Sequence, residues 1–176
     1  QFNWLFDSVA PTLSAVSIES DNTTDTLAKV NDVITLTMTA DETIQAPVVT
    51  FQSGSAAITD TSITYNNTSG NTWTAAYTAN SSDTNGSVSY SIAYTDSAGN
   101  AGTAVTSGSG SVNFDKTAPT VTITAAEVSD GATSNDATLS LTFTSSEATT
   151  DFLVGDITVS GGALSAFNAT SSTVYI

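Results

Sequence analysis

The sequence predicts an all-β protein built of tandem antiparallel β-sandwiches, each of about one hundred residues. Three observations carry that reading. The strings Phe6-Asp7-Ser8-Val9-Ala10-Pro11-Thr12 and Phe114-Asp115-Lys116-Thr117-Ala118-Pro119-Thr120 are near copies set 108 residues apart, the spacing of a repeated module. Apolar residues alternate with Ser and Thr over short runs, the period of a strand with one buried face. Turn-forming Asn, Asp and Gly separate those runs.

In the first module the runs place strands over 12–19, 33–40, 47–52, 57–65, 72–79, 87–95 and 103–114. Val33 to Thr39 puts Ile34, Leu36 and Met38 on one face. Thr72 to Thr78 does the same for Trp73, Ala75 and Tyr77, and Val88 to Tyr94 for Val88, Tyr90, Ile92 and Tyr94. Ile34, Leu36, Trp73, Tyr77, Tyr90 and Ile92 are the predicted core. Turns fall at Asp21-Asn22, Gly54, Asn66-Asn67, Gly70-Asn71, Asn85-Gly86 and Asp96 to Asn100.

The second half repeats the first with changes. Ile34 to Glu42 aligns with Leu139 to Glu147 at an offset of 105. Strands are expected over 120–125, 137–144, 156–160, raggedly over 163–167, and from 173. The organisation is therefore a preceding linker or strand over 1–11, a first module over 12–114, and an incomplete second module over 115–176. Without its last strands the second module should leave Leu139, Leu141, Phe143, Ile157 and Val159 facing water, until further chain or a neighbour covers them, with Phe2 to Phe6 a candidate cover. Gln1-Phe2-Asn3-Trp4 reads as a cut into a longer polypeptide, and the other end falls inside the strand at Thr173 to Ile176.

Composition removes several function classes. Seventeen acids face two lysines, Lys29 and Lys116, for a net charge of −15; nucleic acid and anionic membrane surfaces would be repelled. There is no His and no Cys, which excludes a Ser-His-Asp triad, thiol chemistry, disulfides and the usual zinc sites. No apolar run approaches the roughly 18 residues of a membrane span. Asp41-Glu42 is a tight carboxylate pair, but neighbours at a strand end point apart, a poor glycosidase geometry. Asn-x-Ser/Thr sequons at Asn22, Asn66, Asn67, Asn80, Asn85 and Asn168 are glycosylated only where the machinery exists.

The Phe-Asp-x-x-Ala-Pro-Thr entry, the Tyr94-Thr95-Asp96-Ser97-Ala98-Gly99-Asn100-Ala101-Gly102 string and the stretch from Ser146 to Gly162 together resemble the bacterial immunoglobulin-like repeats of very large surface proteins and adhesins. The resemblance spans nearly the whole chain. It implies an immunoglobulin-like sandwich, an extracellular stalk or adhesive role, no catalysis, and in some relatives calcium at domain junctions.

On that topology the module entry and two loops share one pole, which collects Asp7, Asp41, Glu42, Asp96 and Asn100. Calcium takes six to eight hard oxygens, so this pole is a candidate calcium site. The ordinary alternative is turn chemistry, because Asp and Asn side chains bond nearby backbone. Asp115 repeats Asp7 and Glu147 repeats Glu42; they form a second candidate at the module junction, facing Asp21, Asp25 and Asp83, with Lys116 as a competing local cation. Trp73, Tyr77, Tyr90 and Tyr94 read as core before they read as a sugar-stacking strip.

The functional expectation is a non-enzymatic structural or adhesive repeat of a bacterial extracellular surface protein or fibre. Its partners would be neighbouring repeats or identical subunits, with no nucleic acid and no membrane insertion. The alternatives are a filament or sheath subunit completed by strand pairing between chains, and a carbohydrate- or protein-binding module.

Overall fold

A computed structural model of the chain describes residues 6–176. It divides into two units, residues 1–116 and 117–176.

Unit 1 is an immunoglobulin-like sandwich. Its strands are β1 (Leu13–Ser20), β2 (Leu27–Ala28), β3 (Val33–Ala40), β4 (Val48–Ser53), β5 (Ala56–Ala57), β6 (Thr64–Ser69), β7 (Thr72–Thr78), β8 (Gly86–Ala93) and β9 (Asn113–Phe114). One sheet has the order β1-β3-β7-β6 and the other β2-β9-β8-β4-β5, the strand distribution of an immunoglobulin domain. The alternation read from the sequence sets the faces. Ile34, Leu36 and Met38 of β3 meet Val49 and Phe51 of β4 and Val88, Tyr90 and Ile92 of β8 in one buried cluster. Phe51 and Tyr77 close it ring to ring at 4.8 Å. Of the predicted core, Trp73 is only partly buried. It lies opposite Met38 near the end of β7, and its indole N–H has no partner there.

Two strands differ from expectation. The predicted strand over 57–65 starts at Thr64, because Asp60 builds a turn: its carboxylate accepts the N–H of Ser62 and of Thr78. The predicted strand over 103–114 is regular only at β9. Between, it leaves β8, to which Val105 bonds through Ile92, and crosses to β1. There the Ser109 N–H donates to the Val16 carbonyl and the Ile18 N–H donates to the Ser109 carbonyl. Glycine permits this. A Cβ on Gly108 would collide with the Val16 carbonyl, and one on Gly110, at φ +74°, with that of Ile18.

This crossing segment is parallel to β1 at Ser17–Ser109, and β9 is parallel to β2. The strand that enters the unit and the strand that leaves it therefore run the same way, and entry and exit lie at opposite poles.

Unit 2 holds β10 (Val121–Ala125), β11 (Leu141–Ser145), a 3₁₀ turn (Val154–Asp156) and β12 (Val174–Tyr175), in one sheet of order β10-β11-β12. The strand predicted from 137 begins only at Leu141. No strand forms over 156–160 or 163–167, because a strand without a ladder partner leaves its backbone polar groups unpaired. Phe143, expected to face water, is buried. Phe152 covers it at 5.7 Å and itself meets Tyr175 at 4.9 Å, while Phe167 stacks on Tyr175. Leu139 and Val159 are exposed at 40% and 42%, beside half-buried Leu141 and Ile157. They line an open groove of about 540 Å³. The proposed cover lies, from Phe2 to Leu5, outside the described residues.

The glycine crossing yields a direct test. Gly110→Ala forces a left-handed conformation on a Cβ that also meets the β1 backbone. It should destabilise unit 1 by roughly 2–5 kcal/mol, measured by urea unfolding, whereas Gly70→Ala, with open space around it, should show only the φ penalty.

Candidate acidic site at the entry pole

The entry pole is organised by two carboxylates with different jobs. Asp41 follows the last residue of β3 and grips the incoming chain. Its two oxygens accept the N–H and the hydroxyl of Thr12, each at 2.8 Å, while its own N–H donates to the Thr12 carbonyl at 3.0 Å. The bonds from Thr12 hold its carboxyl below the usual range. Asp96 is 1% exposed and organises the loop after β8. Oδ1 accepts the N–H groups of Gly99 and Asn100 at 2.7 and 2.8 Å, and Oδ2 accepts the Asn100 amide at 2.7 Å. Burial opposes its charge, but these bonds together outweigh burial and lower its pKa. The same Asn100 amide reaches the Asp7 carbonyl at 3.3 Å, and Gln45 donates to the Asp96 carbonyl at 3.0 Å.

The structure thus brings Asp7, Asp41, Glu42, Asp96 and Asn100 to one pole. Asp7, Glu42 and Asp96 each offer a carboxylate oxygen within 4.8 Å of the others. Glu42 is half-buried, and burial, then Asp7, Asp96 and Asp41, pushes its pKa up. Asp41 is outside this trio, its two oxygens held by Thr12; within the trio the Asp96 oxygens are held by Gly99 and Asn100, and Asp7 accepts the Val9 N–H.

The second candidate set is arranged differently. Asp115 belongs to unit 1, where its carboxylate accepts the Asn85 amide at 2.7 Å. The Lys116 ammonium donates to the Ser81 and Asp83 carbonyls at 3.0 and 2.7 Å. Glu147 belongs to unit 2. Asp83 itself is buried, and its carboxylate accepts the Thr59 N–H and hydroxyl and the Asn80 N–H, each at 2.8 Å. Asp21 accepts the Val33 N–H. These are structural clasps, and among the described residues the only acidic trio with metal-site spacing is the one at the entry pole.

The Thr12 latch recurs in unit 2. The Thr120 N–H donates to the Ser146 hydroxyl at 2.9 Å and the Ser146 N–H returns a bond to the Thr120 carbonyl at 2.8 Å. Ser146 stands 105 residues after Asp41, the offset of the aligned strands. The two Phe-Asp-x-x-Ala-Pro-Thr strings therefore make the same joint, with a hydroxyl replacing a carboxylate. Sequence reading missed the latch itself, although its signal was present: Thr closes both strings, and an oxygen-bearing side chain follows both aligned strands.

Residues 115–176 match the family model of the bacterial Ig-like domain. No curated protein and no solved structure matches the chain.

Glu42 gives a pH test. Its folded pKa is raised, so its contribution is full below its unfolded pKa, near 4.3, and is lost as pH rises through the folded value. Glu42→Gln should therefore raise the melting temperature at pH 7 in chelator. The gain should vanish near pH 4, where the wild-type carboxyl is protonated too.

Proposed function

We propose that this chain is a non-catalytic, tension-bearing spacer of a bacterial extracellular surface protein, working as tandem immunoglobulin-like modules. One observation carries the reading: in unit 1 the entering and leaving strands are parallel and bonded to each other. Pulling on the two ends loads that seam lengthwise. The bonds from Ser109 to Val16, from Ile18 to Ser109, from Asn113 to the Thr26 carbonyl and from Asp115 to the Ala28 carbonyl are then sheared together rather than opened one at a time. Exit at the far pole, followed by a second copy of the latch, suits an array that extends end to end. The bacterial Ig-like match of residues 115–176 supports the structural class. No helix among the described residues is long and apolar enough to cross a membrane. A sugar-stacking strip is disfavoured, since Tyr77, Tyr90 and Tyr94 are buried.

Calcium at the entry pole is the second part of the proposal, supported by the spacing of Asp7, Glu42 and Asp96 and by the raised pKa of Glu42, which burial and then the charges of Asp7, Asp96 and Asp41 push up. A divalent cation would relieve that repulsion and brace the chain where it enters the module, with the latch at Asp41 left as it is.

Single-molecule pulling on unit 1 tests the spacer. Asn113→Pro removes one donor of the seam and should lower the unfolding force well below wild type. Ala57→Pro, at the sheet edge, should leave it nearly unchanged; equal effects of the two would overturn the reading. For the cation, millimolar calcium should raise the melting temperature over chelator, since a ligand bound only by the folded state stabilises it by RT ln(1 + [L]/Kd). Glu42→Gln should blunt that rise, and coincident melting curves would end the metal proposal without touching the spacer.

A further inference from the structure

The chain holds one Asn-Gly dipeptide, Asn85-Gly86. In such a pair the asparagine side chain is open to attack by the next backbone nitrogen, because glycine puts no Cβ in the way. The structure explains each residue separately. Gly86 opens β8 at φ +133°, and a Cβ on it would stand 3.0 Å from the Gly54 Cα. Asn85 clasps the chain that leaves unit 1. Its amide donates to the Asp115 carboxylate at 2.7 Å, and its side-chain oxygen accepts the Lys116 N–H at 3.1 Å. A reactive pair is thus the by-product of a turn and a clasp.

Both reacting groups are held by the same segment. The Asn85 side chain is bonded to Asp115 and Lys116. Gly86 lies opposite Phe114 in the ladder of β8 and β9. The Val88 N–H donates to the Val112 carbonyl at 2.8 Å, so the alternation of an antiparallel ladder turns the Gly86 N–H toward Phe114. Val112 and Phe114 are buried and anchor the segment in the core of unit 1. While residues 112–116 are docked, the Gly86 nitrogen keeps its ladder bond and the Asn85 side chain is committed to the leaving chain. When they lift away, both groups are released together. Asn85 is exposed, so water reaches it.

We propose that Asn85-Gly86 is a deamidation site gated by the undocking of residues 112–116, and that the reaction makes the loss of this clasp irreversible. The Gly86 nitrogen gives its proton to solvent and bonds to the side-chain carbon Cγ of Asn85. The bond from that carbon to the amide nitrogen breaks, and ammonia leaves. Water then opens the cyclic imide, which leaves an aspartate or an isoaspartate at position 85. Water is consumed and ammonia released, with no oxidant or reductant. The product still accepts the Lys116 N–H. In place of the donor, however, it sets a carboxylate against that of Asp115, so like charges meet at hydrogen-bonding range. The proposal requires neither the spacer role nor a bound cation, because any event that lifts residues 112–116 opens the gate.

Peptide mapping by mass spectrometry of the 176-residue chain, held in mildly alkaline buffer, tests the gate. Asn85 should convert at least about tenfold more slowly in the folded chain than in the same chain unfolded in urea, because reaction follows the population of the locally open state. Asp115→Ala removes the acceptor of the clasp and should speed conversion several-fold in the folded chain. Ile44→Val, at the opposite pole beside Asp96, should leave the wild-type rate. Equal rates in the folded and urea-unfolded chain overturn the proposal. Equal acceleration by both variants does so too, since it marks global unfolding as the route. Melting curves test the product. Asn85→Asp should melt below wild type at neutral pH. Repulsion raises the folded pKa of the facing carboxyls, so its cost is present above that pKa and is lost as pH falls. The gap should therefore narrow toward pH ~4, where a protonated side chain at 85 donates to Asp115 again. A variant that melts with wild type at neutral pH, or a gap that ignores pH, overturns the irreversible step.

Discussion

The seam between the first and last strands of unit 1 is the constraint on which the rest depends. A sandwich of two sheets can leave its outer strands on separate sheets, related only through the core. Here one segment crosses from β8 to β1, so the last strand bonds both sheets. Two glycines make the crossing possible, because the β1 carbonyls occupy the space where side chains would stand. Once this seam exists, the polarity of the ends follows: the chain enters at the pole of Asp41 and Asp96 and leaves at the pole of Asp83 and Lys116. The acidic entry pole, the clasp of Lys116 on the loop carbonyls and the reuse of the Phe-Asp-x-x-Ala-Pro-Thr string are consequences of that geometry.

Charge is distributed to suit it. Asp41, Asp83 and Asp96 are acids that the fold uses fully, each accepting two or more backbone or side-chain donors. Such carboxylates behave as internal braces, and their negative charge is matched by N–H dipoles. Among the described residues Glu42 has no such set of bonds, and it lies near Asp7, Asp41 and Asp96. The contrast separates the two explanations that clustered acids always invite. Turn chemistry accounts for Asp41 and Asp96 as individuals, whereas it does not account for Glu42, whose pKa is pushed up by burial and then by Asp7, Asp96 and Asp41.

Much of unit 1 was legible because burial on one face writes a period of two into the sequence. Val33 to Thr39 and Val88 to Ile92 have the faces their alternation predicts, and the pole where Asp7, Glu42, Asp96 and Asn100 meet follows from the order of strands. What alternation does not encode is where a strand changes partner. Thr103 to Val112 is rich in Gly, Ser and Thr and reads as a weak strand; its crossing to β1 is encoded in glycine placement, which reports close approach without naming the strand approached. The late start of β6 has a similar origin, since Asp60 acts through bonds to Ser62 and Thr78 that propensity does not reveal.

Unit 2 shows the limit from the other side. Ile157-Thr158-Val159 alternates as well as any segment of unit 1, yet it is not a strand. Alternation states which face would be buried, but the strand itself exists only when a neighbour supplies its ladder. Unit 2 nevertheless keeps its register: Phe152 and Phe167 gather on Phe143 and Tyr175, and the Tyr175 hydroxyl bonds Thr149. The aromatic cluster anchors β10, β11 and β12 at one end of the sheet and leaves Leu139 and Val159 exposed at the other.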